Sequence, residues 1–292
     1  MKHLYKFIAL VFIFMIGIAF FSKSIPSISV STTTASSIQD STFPMVYLQV
    51  GESFINPLHG YSSELNSSTV RESITPLDTG KTFAVNIAEN DSKIKKLSYE
   101  LRDIANNKSI ETGDITAFDK NKKYKVATVH LKEAMDTSTE YGFCMTLITN
   151  YSKKIHFYTR IKYYDNDFFL SKKLDFVAKF HAATFDQGKS LDLSQYLESG
   201  TNDDSSYESV DIHSSRKLIT WGKLKPRKLT DVVPTVKELN IETAAISQTY
   251  FVSATTASGS ETYQVKEFYR VRYSGGRIYL LYFKRTMEAI FD

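Results

Sequence analysis

The chain has 292 residues, 42% of them hydrophobic, with 36 Lys and Arg against 32 Asp and Glu for a formal net charge of +4. That length supports a sizeable core and two domains of ordinary size. Lys2, Lys6 and Lys23 supply three of the four excess charges and no acid stands among the first 23 residues, so the remainder is near +1, which argues against a nucleic-acid ligand or a strongly acidic partner.

Residues 7–21, FIALVFIFMIGIAFF, carry no charged or strongly polar side chain and follow Lys2, His3 and Lys6. A membrane core asks for about 20 apolar residues and a secretory signal for about 7 to 15, so the run fits either; no A-x-A cleavage site follows it. The first expectation is an uncleaved signal-anchor helix over residues 1–23, with the amino terminus cytoplasmic and the rest extracytoplasmic; the alternative is secretion after signal cleavage. From Ser22 to Thr42, 12 of 21 residues are Ser or Thr, and residues 24–43 are expected to form a disordered stalk. Cys144 is the only cysteine, which points to a bacterial export compartment making little use of disulfides. Its setting in EYGFCMTLI is that of a buried, inert thiol.

Short runs rich in β-branched and aromatic residues then recur between turn signals, predicting strands over 45–50, 81–88, 94–102, 109–118, 122–131, 141–149 and 154–163. Seven such strands imply an immunoglobulin- or fibronectin-like β-sandwich domain over residues 44–165. Residues 51–80 are long for a loop and imply an extra strand or an ordered excursion. Tyr141, Phe143, Met145 and Leu147 alternate and share one face, and Tyr141, after a long connection, resembles the tyrosine corner of such sandwiches.

At residue 164 the pattern changes. Leu170, Leu174, Val177, His181 and Phe185 lie three or four apart, which predicts a helix with Ser171 as N-cap. A shorter helical candidate follows in 191–199. Alternation returns at 216–224, 236–242, 246–256, 263–273 and 277–283, with Ser274-Gly275-Gly276 marking a hairpin between the last two. Residues 166–292 are therefore expected to form an α+β domain with helices on an antiparallel meander, and the whole protein to be mainly β. The closing stripe of Phe283, Met287, Ile290 and Phe291 either folds back onto the meander or belongs to a longer chain.

The phrases NPLHGY, RESITPL, FYTRI and EFYRVRY, together with the apolar start and the Ser/Thr stretch, resemble uncharacterised membrane-anchored extracytoplasmic proteins of clostridia-type Gram-positive bacteria. The likeness spans most of the chain and implies an address, but no activity or site residue.

No catalytic, cofactor or metal motif stands out. The histidines at 3, 59, 130, 156, 181 and 213 have no zinc-site spacing, the acidic turns at 165–167 and 203–204 lack an EF-hand glycine and glutamate, and no nucleophile elbow or phosphate-cradling glycine loop is present. No cofactor is implied. Two surfaces remain. In residues 216–228, RKLITWGKLKPRK, six of thirteen side chains are cationic and none acidic. There Trp221, Lys223, Lys225, Arg227 and Lys228 form a candidate seat for a polymer or partner, unless Trp221 packs in the core beneath a solvated basic strand. The second is His59-Gly60-Tyr61 with Tyr158 and Arg160, where a turn role for His59 is the simpler reading.

The sequence thus leads to a non-enzymatic, membrane-tethered extracytoplasmic module that contacts another envelope protein or a wall polymer. The first alternative is a wall-glycan or anionic-polymer binder centred on Trp221, and the second is an envelope hydrolase whose acids the sequence does not reveal.

Overall fold

Alternation of apolar and polar side chains dictates most of the chain beyond residue 43, since successive strand residues point to opposite faces and only one face of each sheet is buried. The computed structural model describes Met15 and residues 43–66, 70–121, 123–198, 206–256 and 259–290. It is mainly β, with antiparallel sheets, and the described residues from Phe43 to Ile290 belong to one compact unit. The expected membrane helix and stalk lie outside the described residues apart from Met15 and Phe43. Among the described residues no helix is long and apolar enough to cross a membrane.

The first sheet runs in the order β2 (Ser53–Leu58), β1 (Met45–Val50), β4 (Thr82–Ala88), β8 (Tyr124–His130) and β7 (Asp119–Asn121). The second runs β3 (Ile74–Leu77), β10 (Lys154–Tyr163), β9 (Glu140–Thr149), β5 (Ile94–Asp103) and β6 (Ser109–Ile115), with β3 alone parallel to its neighbour. Their inner faces share one buried cluster, in which Phe83 of β4 meets Phe143 of β9 edge-on at 5.3 Å. The expected face is in place: Tyr141, Phe143, Met145 and Leu147 all belong to that cluster. The Tyr141 hydroxyl accepts from the Asp136 backbone N–H at 2.8 Å, so the connection before β9 is tied down as the sequence leads one to expect. Cys144 points the other way, and burial pushes its thiol up to about 11, which leaves it inert. The long segment 51–80 contributes β2 and β3.

The third sheet has the order β11 (Ser209–Asp211), β16 (Arg277–Ala289), β15 (Gly259–Ser274), β14 (Thr243–Thr256) and β12 (Arg227–Lys228), and β13 (Thr235–Leu239) also pairs with β14. Helix α1 (Leu170–Phe185) lays its apolar stripe on this sheet, Phe180 meeting Tyr269 and Phe283 at 5.8 and 5.0 Å. The expected boundary at residue 165 falls inside the compact unit, and the buried cluster runs from Phe143 and Phe157 to Phe180 and Tyr269.

Several expectations need correction. Ser171 is not the N-cap; α1 starts after Phe169, whose φ is 51° and whose N–H is held by Asp167 Oδ1 at 2.7 Å. Lys173, buried in the first turn, secures this end instead, donating to the carbonyls of Phe168, Asn240 and Ile241 at 2.7–2.8 Å. The helical candidate in 191–199 is only a 3₁₀ turn, Leu193–Gln195, capped by Asp192. Residues 216–224 are not a strand: Ser215 caps the one-turn helix α2 (Arg216–Ile219), and Trp221 and Gly222 follow at positive φ. The cap accounts for the difference: Ser215 Oγ accepts from Leu218 N–H at 3.4 Å and starts a helical turn where the alternation of the sequence reads as a strand. The final strand continues past Phe283 to Ala289, with Met287 packed against a smaller cluster around Trp221. Phe291 lies outside the described residues.

Asn56 is one of several residues that tie the third sheet to the first two, with Tyr164 bonded to the Leu239 carbonyl and Lys237 to the Glu72 carbonyl. Pairing of β1 with β2 passes from Tyr47–Pro57 to Leu48–Ile55, so Asn56 is the extra residue of a bulge, at φ 51°. Its Nδ2 donates to the Ile74 carbonyl at 2.8 Å and to Thr75 Oγ1 at 3.2 Å, and its Oδ1 accepts from Val236 N–H at 2.9 Å. Its own backbone N–H reaches the Pro234 carbonyl at 2.8 Å. Asn56 is fully buried, so every one of these groups would be stranded without its partner.

Truncating Phe143 to Ala should cost about 3 to 5 kcal/mol in denaturant unfolding, as expected of a filled core position; a loss below about 1 kcal/mol would mean that the register above is wrong. Asn56→Ala should cost about 2 to 4 kcal/mol, because it orphans a buried N–H and carbonyl and places a Cβ-bearing residue without a side-chain hydrogen bond at positive φ. A loss within the error of surface substitutions would refute the role given to the bulge.

Candidate functional site

On β15, Val265, Glu267, Tyr269 and Val271 have the same parity and all face the core. A carboxylate in that row needs donors, because an unpaired buried charge costs several kcal/mol. Glu267 has three: Tyr250 hydroxyl to Oε1 at 2.9 Å, Tyr269 hydroxyl to Oε2 at 2.7 Å and His181 Nδ1 to Oε2 at 2.8 Å. Burial alone would push the Glu267 carboxyl up, but the neighbouring His181 and Arg285 and these donors hold it below its ordinary value. Burial, followed by the Glu267 charge, lifts Tyr250 and Tyr269 well above theirs, so both remain donors. Since a carboxylate only accepts, His181 carries its proton on Nδ1.

His181 reaches this position because it lies on the buried stripe of α1, four residues from Val177 and from Phe185. Its second nitrogen, Nε2, is 3.4 Å from Lys228 Nζ, whose ammonium also stands 4.8 Å from the centroid of the Phe185 ring. Both His181 and Lys228 line a cleft of about 1040 Å³ between the outer face of the first sheet and the α1 side of the third. One wall is aromatic: Tyr47 and Phe54 pack against Tyr124 at ring separations of 5.8 and 5.9 Å, all three half-buried. Phe251 stands on the opposite wall. Lys123 and Asp231, 3.9 Å apart, are the other charged residues that line it.

Of the five expected binding residues only Lys228 lines this cleft. Lys223, Lys225 and Arg227 are solvent-exposed, as is Lys228 by area, but the first three do not converge with it on a common pocket. Trp221 is 1% exposed, and the Arg285 guanidinium lies 3.5 Å from its ring centroid while donating to the Leu218 and Ile219 carbonyls at 2.8 and 2.9 Å. The ring is spent on the core and offers no stacking face. The surface at His59 is likewise structural: His59 is exposed and 3.3 Å from Glu72, Tyr61 donates to Glu72 at 2.5 Å and packs on Tyr158, and Arg160 is buried in an ion pair with Glu140 at 2.9 Å. Among the described residues no group of three or more His, Cys, Asp or Glu side chains is placed to hold a metal ion.

The residues that sequence reasoning missed are Glu267, Tyr250 and the aromatic wall. A signal for Glu267 existed, an acid at the parity of Val265, Tyr269 and Val271. His181 was already in the helical stripe, but the contact between the two spans 86 residues and no local pattern encodes it. No protein-family model matches the chain, and no curated protein matches it at a significant level.

The Glu267 arrangement fixes a pH response. A carboxylate whose pKa is depressed by folding contributes stability above its unfolded value and loses it as pH falls through the folded one. The stability difference between the native protein and Glu267→Gln should therefore be about 3 kcal/mol and flat at neutral pH. It should shrink once the pH drops below the ordinary value of 4.5. Urea titrations across that range decide it, and a gap that stays constant into acid would show that Glu267 is not the ionised hub.

Proposed function

We propose that this chain is a membrane-tethered, non-enzymatic binding module of the bacterial cell envelope that holds a segment of wall polymer in the cleft. The apolar run over residues 7–21 and the Ser/Thr-rich segment after it support the tether and its reach. The strand order β1-β4-β8-β7 facing β10-β9-β5-β6, with the Tyr141 corner, supports reading the first ten strands as an immunoglobulin-like sandwich widened by β2 and β3. That architecture is a scaffold and carries no function by itself. The observation that carries the proposal is the cleft: half-buried rings of Tyr47, Phe54 and Tyr124 together with the ammoniums of Lys123 and Lys228, with Asp231 the single acid among the described residues that line it. Ring faces accept the C–H face of a sugar, and fixed cations attract anionic substituents. A volume of this order suits a few polymer units rather than a protein face, which would be flat.

A second reading has one observation in its favour. A cleft imidazole backed by a buried carboxylate is the layout of a general base, and an envelope hydrolase would use His181 in that role. The two readings part experimentally. Full-length protein in neutral detergent should sediment with purified Gram-positive cell walls, and the double substitution Tyr47→Ala, Tyr124→Ala should weaken binding by about tenfold, some 1.4 kcal/mol, without unfolding the protein. Wall glycan should leave the incubation unshortened. Unchanged binding by the double variant would refute the cleft as the seat, and His181-dependent chain cleavage would replace the module by the hydrolase.

A further inference from the structure

Lys228 differs from the other cations of its segment in what surrounds it. Lys123, across the cleft, has Asp231 for a partner at 3.9 Å, whereas among the described residues no carboxylate forms an ion pair with Lys228. Its Nζ is held by a long contact to His181 Nε2 and by the Phe185 ring face. Gln248, 4% exposed, lines the same cleft, and its amide oxygen finds no hydrogen-bond partner. Among the described residues the cleft thus carries an ammonium without a carboxylate partner and a buried amide oxygen without a donor. Buried polar groups in native proteins are nearly always satisfied, so the Gln248 oxygen calls for a donor from a ligand.

We propose that this cleft holds an anion subsite taking the phosphodiester of a polyol-phosphate polymer, with Lys228 Nζ on a phosphate oxygen and Gln248 on a hydroxyl of the same polymer. The assignment rests on the cleft-binding reading and names its ligand chemistry. A lysine acts as a point charge on a tetrahedral oxyanion, whereas a carboxylate is better matched by the planar fork of an arginine, and among the described residues no arginine lines the cleft.

Calorimetric titration of the full-length protein in neutral detergent with glycerol-phosphate oligomers tests this. A phosphate-free wall glycan and phosphatidylglycerol vesicles serve as the other arms. Lys228→Gln should weaken oligomer binding by about tenfold while Lys225→Gln, an exposed cation outside the cleft, leaves it unchanged. Lys228 is exposed, so its variant is expected to keep the native melting temperature. Equal loss in both lysine variants, or no loss in Lys228→Gln, overturns the subsite. Binding of the neutral glycan with no binding of the oligomer overturns the subsite and leaves the cleft reading intact; failure of glycan and oligomer alike removes both. Binding to vesicles with none to the oligomer overturns the polymer as ligand.

Discussion

The cleft exists because Asn56 is a bulge. An extra residue in β2 turns the chain through a left-handed conformation and aims one amide at two different sheets, at Ile74 and Thr75 on one side and Val236 on the other. The segment before β13 is thereby pinned to the sandwich through Pro234, and residues 228–233, which run into it, become the cleft's second wall. The bulge falls opposite the step from Tyr47 to Leu48, so the displacement that anchors the third sheet also sets the outward position of Tyr47 and Pro57 on the first wall. Asn is suited to this place on two counts: it tolerates positive φ better than other residues with a side chain, and it offers two donors and an acceptor from one group. Glycine would adopt the backbone but leave the partners unmatched.

The buried charge at Glu267 is the second constraint, and it is costly in isolation. Its donors come from three elements, α1, β14 and β15, so the carboxylate is stable only when the helix is docked on the sheet. An apolar residue at this position would pack more simply, and buried ion clusters are often no more stable than their hydrophobic replacements. What the apolar alternative would not do is fix the orientation of His181, whose ring edge faces Tyr250 at a centroid distance of 5.0 Å and whose Nε2 is left for Lys228. Arg285 completes the same region differently: it stacks on Trp221 and ties off the last carbonyls of α2, so the basic segment 216–228 is held from within the core while its lysines stay outside.

How much of this was legible follows from the range of each interaction. Strand and helix positions depend on local periodicity, and Tyr141 to Leu147 and the stripe of α1 were readable for that reason. The Ser274-Gly275-Gly276 hairpin was readable because the turn needs positive φ at both glycines, at 58° and 78°. Residues 216–224 were misread because alternation and one helical turn look alike over so few positions, and the Ser215 cap was the cue that separates them. The lysine neighbours of Trp221 left both an exposed and a core reading of its ring open, because the side chain that stacks on it, Arg285, comes from the far end of the chain. The cleft itself was invisible for the same reason: Tyr47, Tyr124, His181 and Lys228 are brought together by the docking of sheets, and each alone is an ordinary strand or helix residue.

A site of this kind need not bind tightly. Its aromatic wall is half-buried and not enclosed, its cations are solvated on one side, and exposed charge contributes little once screened. A dissociation constant near 1 mM corresponds to about 4 kcal/mol, within reach of one charge-assisted contact and a stacked ring. On the proposed reading the tether supplies the rest, since a domain confined by a short linker experiences its neighbours at about millimolar effective concentration. Weak cleft contacts then give high occupancy against a surface polymer and rapid release along it, which is the behaviour required of a module that stays in register with a growing wall.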